Sequence, residues 1–352
     1  MTSRQPPVAR CVTMQKNERT LLEPWILHHA RLFGFEALTV IDNGSDLPAV
    51  LKLLQRYERR GVTVIRDYPT PADFGRKGEI VTSVIQSWDR EGGYDFAIPL
   101  DCDEFLVSFT SRLAWDRASV LGSLALMRGH ATTFINDRLL LNVPHRPGYF
   151  RPQIVNRSLF AAGTIVGLDR GFHEPQTIYP ERRMRAPLAC LHLHNRPSYA
   201  DIQTAARQKL YRLIGDADPA TVAPTAESGH LYFYFQVPEA DFIQQYRIHP
   251  DIYVPGLLHC FEQRGMDWKS LLGVGGIQPD IRSSNGYFAH RTEDNEKKHI
   301  FQPFDAAFYA EHNPDVANDP HFGRWPLVHF IETGWKEGRE SCPTGEDVFI
   351  VE

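Results

Sequence analysis

The 352-residue chain has few of the features that mark out several protein classes. It has five cysteines (Cys11, Cys102, Cys190, Cys260 and Cys342), an odd number, widely scattered and without a CxxC pair. That excludes a disulfide framework and a cysteine zinc site, and fits a reducing compartment. No stretch approaches the roughly 18 apolar residues that a membrane-spanning helix needs. The first residues, MTSRQPPVARCVTM, lack the apolar core of a signal peptide. The expectation is a soluble, cytoplasmic protein, with peripheral contact at the inner face of a membrane left open. Positive charge is not in excess: 38 Lys and Arg face 43 Asp and Glu, for a net charge of −5. No broad basic field is there to recruit nucleic acid. The cluster Arg182, Arg183 and Arg185 is read as a solvated loop. Internal repeats and low-complexity segments are absent.

With 42% hydrophobic and 23% charged residues, the composition is that of an ordinary globular chain. Its length suits one large domain or two of common size. The first hundred residues alternate between strand and helix patterns. Strands are predicted at 8–14, 37–43, 62–67 and 94–100, and helices at 22–33, 48–60 and 78–91. The first helix has two candidate starts: a capping box from Thr20 to Glu23, or Pro24 at the first helical position. Spacing this short implies right-handed crossovers and a parallel sheet. Pro99 is awkward inside such a strand because it lacks a ladder donor, so a bulge or the strand's end is expected there. Beyond residue 110 the one clear helical pattern is 199–215.

The fourth strand runs straight into Asp101-Cys102-Asp103-Glu104. In an open parallel sheet, ligands bind outside the carboxyl ends of the strands. If the backbone stays extended, Asp101 and Asp103 point to one side, and two adjacent carboxylates need a cation between them. Mg²⁺ or Mn²⁺ is the natural partner, and such an ion commonly neutralises a departing diphosphate. Taken alone, D-x-D is equally a polar turn. Here it accompanies two other polar strand ends, Gln15-Lys16-Asn17-Glu18 and Asp42-Asn43-Gly44-Ser45-Asp46.

KNERTLLEPWILHHARLFGFEALTVIDNGSD followed by DCDEFLV resembles the glycosyltransferase family 2-like group, and within it the branch that includes the family 92 enzymes. The resemblance covers residues 8–107 closely and extends loosely to about 215. It implies a GT-A fold: Rossmann-like α/β, with a mostly parallel central sheet flanked by helices. The implied activity is inverting, metal-dependent transfer of a hexosyl group from a nucleotide-diphosphate sugar, with UDP the expected nucleotide. The acceptor would be a glycan or a lipid-linked saccharide. By position, the resemblance places Gln15, Asn17 and Glu18 in the nucleotide pocket and Asp42 on the base or ribose. Ser45 or Asp46 would shape the turn. It puts Asp101 on the sugar and ribose side, has Asp101 and Asp103 hold the metal, and makes Asp103 its direct ligand. Lys77 is either a phosphate contact or a solvated lysine, and Glu104 either supports the carboxylates from behind or caps the next turn.

His192 and His194 lie at strand spacing and can bind a metal as neutral imidazoles. The resemblance aligns His194, Arg196, Ser198 and Lys209 with a metal- or diphosphate-binding series, although Asn195 stands where an aromatic is usual. The acceptor's general base is sought in GFHEP and just before it: Glu174, then Asp169, with His173 also chemically able. His28 and His29 are read as packing residues. The expected division is a catalytic domain at 1–300, with halves at 8–107 and 108–300, and a small helical module with its tail at 301–352. That module's FYAEHNPDV and PLVHFIETGWKEGR resemble a unit at the ends of bacterial glycan-assembly enzymes. In it, Asp305 should cap a helix through Ala310, and Pro326 should open a second helix that Gly334 ends. Two other readings compete. A D-x-D phosphatase of the haloacid-dehalogenase type would place its pair near the N-terminus, followed by Gly-Thr. A non-catalytic nucleotide-sugar or glycan-binding scaffold would share the fold.

Overall fold

The computed structural model describes residues 5–214, 229–246, 251–263, 265–279, 281, 286–292, 295–345 and 348–351. The first hundred residues alternate as expected, apart from one short unpredicted helix, α3: β1 (Ala9–Gln15), α1 (Leu22–Phe33), β2 (Leu38–Asp42), α2 (Pro48–Glu58), β3 (Thr63–Ile65), α3 (Pro71–Gly75), α4 (Lys77–Glu91) and β4 (Phe96–Pro99). Strands β3, β2, β1 and β4 are parallel neighbours in that order. Pro99 is the last residue of β4, and Leu100 donates the next bond, to the Val12 carbonyl at 3.0 Å. The missing donor therefore falls at the strand's end.

Of the apolar helical stripe that the sequence places at Leu22, Trp25, Ile26, His29, Leu32 and Phe33, helix α1 buries all but Phe33, which is half-buried. Its start follows neither candidate. The Glu18 carboxylate accepts from the backbone N–H of Thr20 and Leu21, each at 3.0 Å, and satisfies donors that a helix end leaves open. Glu23 turns instead to α2, where it accepts from Arg56 and, at 2.7 Å, from the Tyr57 hydroxyl.

After β4 the chain changes sheets. Next come β5 (Glu104–Phe109), β6 (Leu113–Ala114), α5 (Arg117–Met127), β7 (Thr133–Asn136), β8 (Leu139–Asn142), β9 (Tyr149–Gln153), β10 (Arg157–Ala161), β11 (Ile165–Leu168), β12 (Pro175–Thr177), β13 (Arg183–Arg185) and β14 (Leu188–His192). Then follow α6 (Tyr199–Ile214), α7 (Gly229–Gln236), α8 (Glu239–Gln244), β15 (Asp251–Tyr253), α9 (Pro255–Gln263), α10 (Trp268–Leu272), β16 (Tyr287–Thr292) and β17 (Asn295–Pro303). Residue 215, the last of the predicted helix at α6, lies outside the described residues. The chain closes with α11 (Ala306–His312), α12 (Pro314–Ala317), α13 (Pro326–His329) and β18 (Phe349–Val351).

Among the described residues, the first sheet runs β13-β7-β10-β4-β1-β2-β3, with β10 antiparallel to both its neighbours and β13 parallel to β7. A second sheet, β18-β17-β16-β15-β9-β8-β14-β5-β6, is antiparallel except between β8 and β14. The fold is thus α/β, with helices on a central sheet that is parallel in its first half. The large antiparallel sheet was not expected from sequence. Neither was β13, because the arginine cluster forms an edge strand and not a loop.

The C-terminal unit packs into the core of the rest. Phe304, Tyr309, Trp325, Leu327 and Phe330 are buried in the same apolar cluster as Trp25 and Phe105. The Asp305 carboxylate caps α11 through the N–H of Ala307 and Phe308, each at 3.0 Å, and the helix runs to His312, past Ala310. Pro326 opens α13, whose path continues as a wider π-turn to Gly334. The expected boundary at 300/301 falls inside β17, which pairs with β18 through Ile300 and Ile350.

Candidate active site

The site forms where the chain passes from one sheet to the other. Asp101, Cys102 and Asp103 are not extended: the Glu104 N–H bonds back to the Asp101 carbonyl at 3.0 Å and closes a turn. The two aspartates therefore meet different partners, contrary to the expected i, i+2 pairing on one face. Asp101 receives the Lys77 ammonium at 2.6 Å. Lys77, only 5% exposed, opens α4 with its ammonium 4.2 Å from the centre of the Phe172 ring. It is not a solvated lysine.

Asp103 faces two histidines. His192 ends β14 opposite Glu104, and His194 follows two residues on, with the ring centres 5.2 Å apart. The donor atoms of Asp103, His192 and His194 lie within 4.8 Å of one another. His192 Nε2 is 3.5 Å from Asp103, and its buried Nδ1 has no hydrogen-bond partner among the described residues. His194 Nε2 bonds the Tyr234 hydroxyl at 2.7 Å. Beside the group is a small, partly open space of about 10 Å³, enough for a single water-sized sphere. A carboxylate and two imidazoles, one of them with an unpartnered buried nitrogen, fit one divalent ion. Asp101 lies outside this group and is held by Lys77.

The electrostatics agree with that division. Burial would raise the Asp103 carboxyl, but His192 and Lys209, with Arg196 behind them, hold it well below the usual carboxylate range. Lys209 is 3.9 Å from Asp103 and 41% exposed. Burial, the largest influence, and repulsion from Asp103 oppose ionisation of Asp101, but Lys77 and Arg157 together bring its carboxyl below the ordinary value. For His194, burial and then Lys209 push the imidazole well below its ordinary value, so it stays neutral and able to bind a metal. Burial also keeps the Cys102 thiol protonated, its pKa well above the usual value.

Glu104 is fully buried and accepts from Arg157 on β10, while its other oxygen accepts the Asp101 N–H at 3.1 Å. It therefore supports the aspartate turn from behind. Burial works against Arg157's charge, but Glu104 and Asp101 keep its pKa above the ordinary value. Arg157 also reaches His173 Nδ1 at 2.9 Å. Nothing in the sequence singles out Arg157, because an arginine in a strand reads as solvent-facing until its neighbours are known. Tyr234, on α7, was missed for the same reason.

The loop after β11 carries the candidate bases. Asp169 accepts from the N–H groups of Gly171 at 2.8 Å and of His173 and Glu174 at 2.6 Å each, so its oxygens organise the loop. Phe172 sits at φ 64°, a conformation that costs a non-glycine residue about 1–3 kcal/mol. The loop lies hard against α4: a Cβ on Gly78 would run into the Leu168 carbonyl oxygen. Glu174 is exposed, and its carboxylate has no partner among the described residues.

The nucleotide-side candidates divide in two. Gln15 and Glu18 line the main cleft, of 690 Å³, with Lys77, Asp101, Asp103, Arg157, Asp169, His173, His194 and Arg196. Asn17 and Asp42 do not. Asn17, at φ 54°, exchanges hydrogen bonds with Asp46 at 2.8 and 3.0 Å. Asp42 is buried and accepts from Gln15 Nε2 at 2.7 Å. Ser45 accepts the Asn17 N–H at 2.9 Å, so both turn residues tie β1 to the loop after β2. Arg196 bonds Glu18 at 2.9 Å and links the turn before α1 to the segment after β14. Ser198 instead bonds Asp201 in the first turn of α6. Glu174 lines a neighbouring cavity and not this cleft.

No family model matches the chain, and no curated protein does. Similar solved structures include S. aureus TarS 1–349 in complex with UDP-GlcNAc, at 12% identity and TM-score 0.34, covering 73% of this chain and 82% of that one. Another is the mannosyltransferase PcManGT from Pyrobaculum calidifontis in complex with GDP-Man and Mn²⁺, at 12% identity and TM-score 0.32, covering 93% and 84%. A cytidylyltransferase from Leptospira borgpetersenii scores 0.29 at 13% identity, covering 51% and 75%. These are distant likenesses of layout, from which no side-chain roles follow.

Proposed function

We propose that the protein is a GT-A-type glycosyltransferase that moves a hexosyl group, with inversion, from a nucleoside-diphosphate sugar to a hydroxyl of a glycan or lipid-linked acceptor. The observation that carries this reading is the Asp103–His192–His194 group at the exit of a parallel strand, beside the Lys77–Asp101 pair in one cleft. A divalent ion held by Asp103, His192 and His194 would supply positive charge to the departing diphosphate. Two imidazoles suit Mn²⁺ better than Mg²⁺, which favours an oxygen shell.

The chain's own groups do the rest. Gln15 and Glu18 line the nucleotide side of the cleft. Lys209, partly exposed, can turn from Asp103 toward phosphate oxygens. Asp101 faces the sugar, held in place by Lys77. The acceptor oxygen bonds the anomeric carbon as the bond from that carbon to the diphosphate oxygen breaks. Its proton passes to a carboxylate, and the electron pair leaves on the nucleoside diphosphate. Glu174 is the best-suited base because its oxygens are uncommitted, whereas those of Asp169 hold three backbone N–H groups.

Calorimetric titration with UDP, GDP and CDP, with Mn²⁺, with Mg²⁺ and with chelator, tests this reading. We expect UDP to bind with Mn²⁺, at least tenfold more weakly with Mg²⁺, and undetectably to folded Asp103→Ala. If no nucleoside diphosphate bound under any metal condition, the glycosyltransferase reading would fail. Metal-dependent binding without donor hydrolysis or transfer would favour the scaffold reading.

A further inference from the structure

Next to the donor cleft is a second cavity, of 450 Å³, whose lining includes Asn156, His173, Glu174, Gln176 and Arg183. Its size falls in the range of about 300–1,000 Å³ typical of small-molecule sites. His173 lines both spaces, so a molecule in the second cavity lies next to the place where the donor sugar would sit. The polar lining offers amide and carboxylate groups suited to sugar hydroxyls.

Arg183 is the informative residue. It begins the edge strand β13, and its guanidinium donates only to backbone carbonyls: Pro180 at 3.0 Å from Nε and Pro175 at 3.5 Å from Nη2. Among the described residues it has no carboxylate partner, whereas Arg185, two residues on, pairs with Asp137 at 2.9 Å. Glu174 lines the same cavity yet does not pair with Arg183. The cavity is thus lined by the unpaired Glu174 carboxylate and by an exposed guanidinium bonded to backbone carbonyls alone among the described residues. An arginine fork fixed by carbonyls, with N–H groups left over, is prepared for a planar or tetrahedral oxyanion.

We propose that this cavity is the acceptor site, and that it takes a saccharide bearing an anionic group, a phosphate or a uronic carboxylate, with Arg183 as the cation that recognises it. This rests on the glycosyltransferase reading. Glu174 then meets the reacting hydroxyl, and Gln176 and Asn156 orient the ring.

The test is ligand-observed NMR on the full chain with four probes: methyl β-glucoside, methyl β-glucuronide, methyl β-glucoside 6-phosphate and inorganic phosphate. We expect one or both anionic glycosides to bind at least tenfold more tightly than the neutral one, and the tighter of them names the group. Arg183→Gln should erase that preference and Arg183→Lys should retain part of it. Gln176→Ala should weaken all three glycosides by a similar factor. The proposal is overturned by equal binding of neutral and anionic glycosides, by an unchanged preference in folded Arg183→Gln, or by no glycoside binding. Inorganic phosphate binding as tightly as the glucoside phosphate would reduce the cavity to an anion site and overturn the saccharide part. UDP binding to the wild-type protein reports separately on the donor reading, so the two failures are distinguishable.

Discussion

Neighbouring residues of one type take different roles here according to what they face. Asp101 and Asp103 differ only in their partners, Lys77 and the histidine pair. Histidine shows the same contrast. His192 and His194 point into the cleft, whereas His28 and His29 complete a strand edge. His28 Nε2 donates to the Leu106 carbonyl at 2.8 Å, and His29 Nε2 accepts the Leu106 N–H at 3.3 Å. His29 Nδ1 then donates to the Trp25 carbonyl at 2.9 Å, so the ring must be neutral. Burial, followed by the charge of His28, pushes the His29 pKa well below its ordinary value. The unfolded chain, with a histidine pKa near 6.5, takes up that proton first. Stability is therefore full above about pH 6.5 and falls as the pH drops below it, by up to about 1.4 kcal/mol per unit. Between pH 7 and pH 5 the wild type should lose about 2 kcal/mol more than His29→Gln, read from urea midpoints. Parallel losses would assign the slope to other groups.

At the scale of elements, the site depends on close approaches that no local pattern announces. The helical stripe of α1 was legible, because a 3.6-residue apolar period has one reading over that length. Its start was not, because the Glu18 carboxylate bonds N–H groups two and three residues on, in the turn ahead of the first helical residue, Leu22. The approach of α4 to the loop after β11 is a further case. Gly78 reads as one more residue of a helix, but its missing Cβ lets Lys77 and Asp169 line one cleft. Gly78→Ala should cost about 1–3 kcal/mol through overpacking, despite alanine's better helix propensity. Denaturant unfolding measures this, and a gain in stability would show that the loop moves away freely.

At the scale of the whole molecule, the C-terminal residues belong to the core. Phe109 meets Trp325 with ring centres 5.7 Å apart, and Phe288 meets Phe330 at 4.7 Å. Arg138, whose pKa burial pushes down to about 10, donates to the Arg324 carbonyl at 3.3 Å. A chain ending after Phe304 would expose these rings, and it should aggregate or lose its cooperative transition. The full protein should unfold in a single calorimetric transition; two separable transitions would show that residues 301–352 fold by themselves. No described helix is long and apolar enough to cross a membrane.

By itself the sequence determined the local elements of the first hundred residues and the chemical character of the strand ends. Periodicity, glycine and proline positions, and clustered polar residues act over a few neighbours, and one chain suffices to read them. The tertiary structure decided which carboxylate meets the histidines and which meets Lys77. It also brought Arg157 to Glu104 and, among the described residues, left Arg183 without a carboxylate partner. These pairings join residues as many as 91 positions apart (Asp103 and His194). They are set by two sheets meeting at Asp101–Asp103, a packing outcome to which distant segments contribute and that no short window of sequence contains.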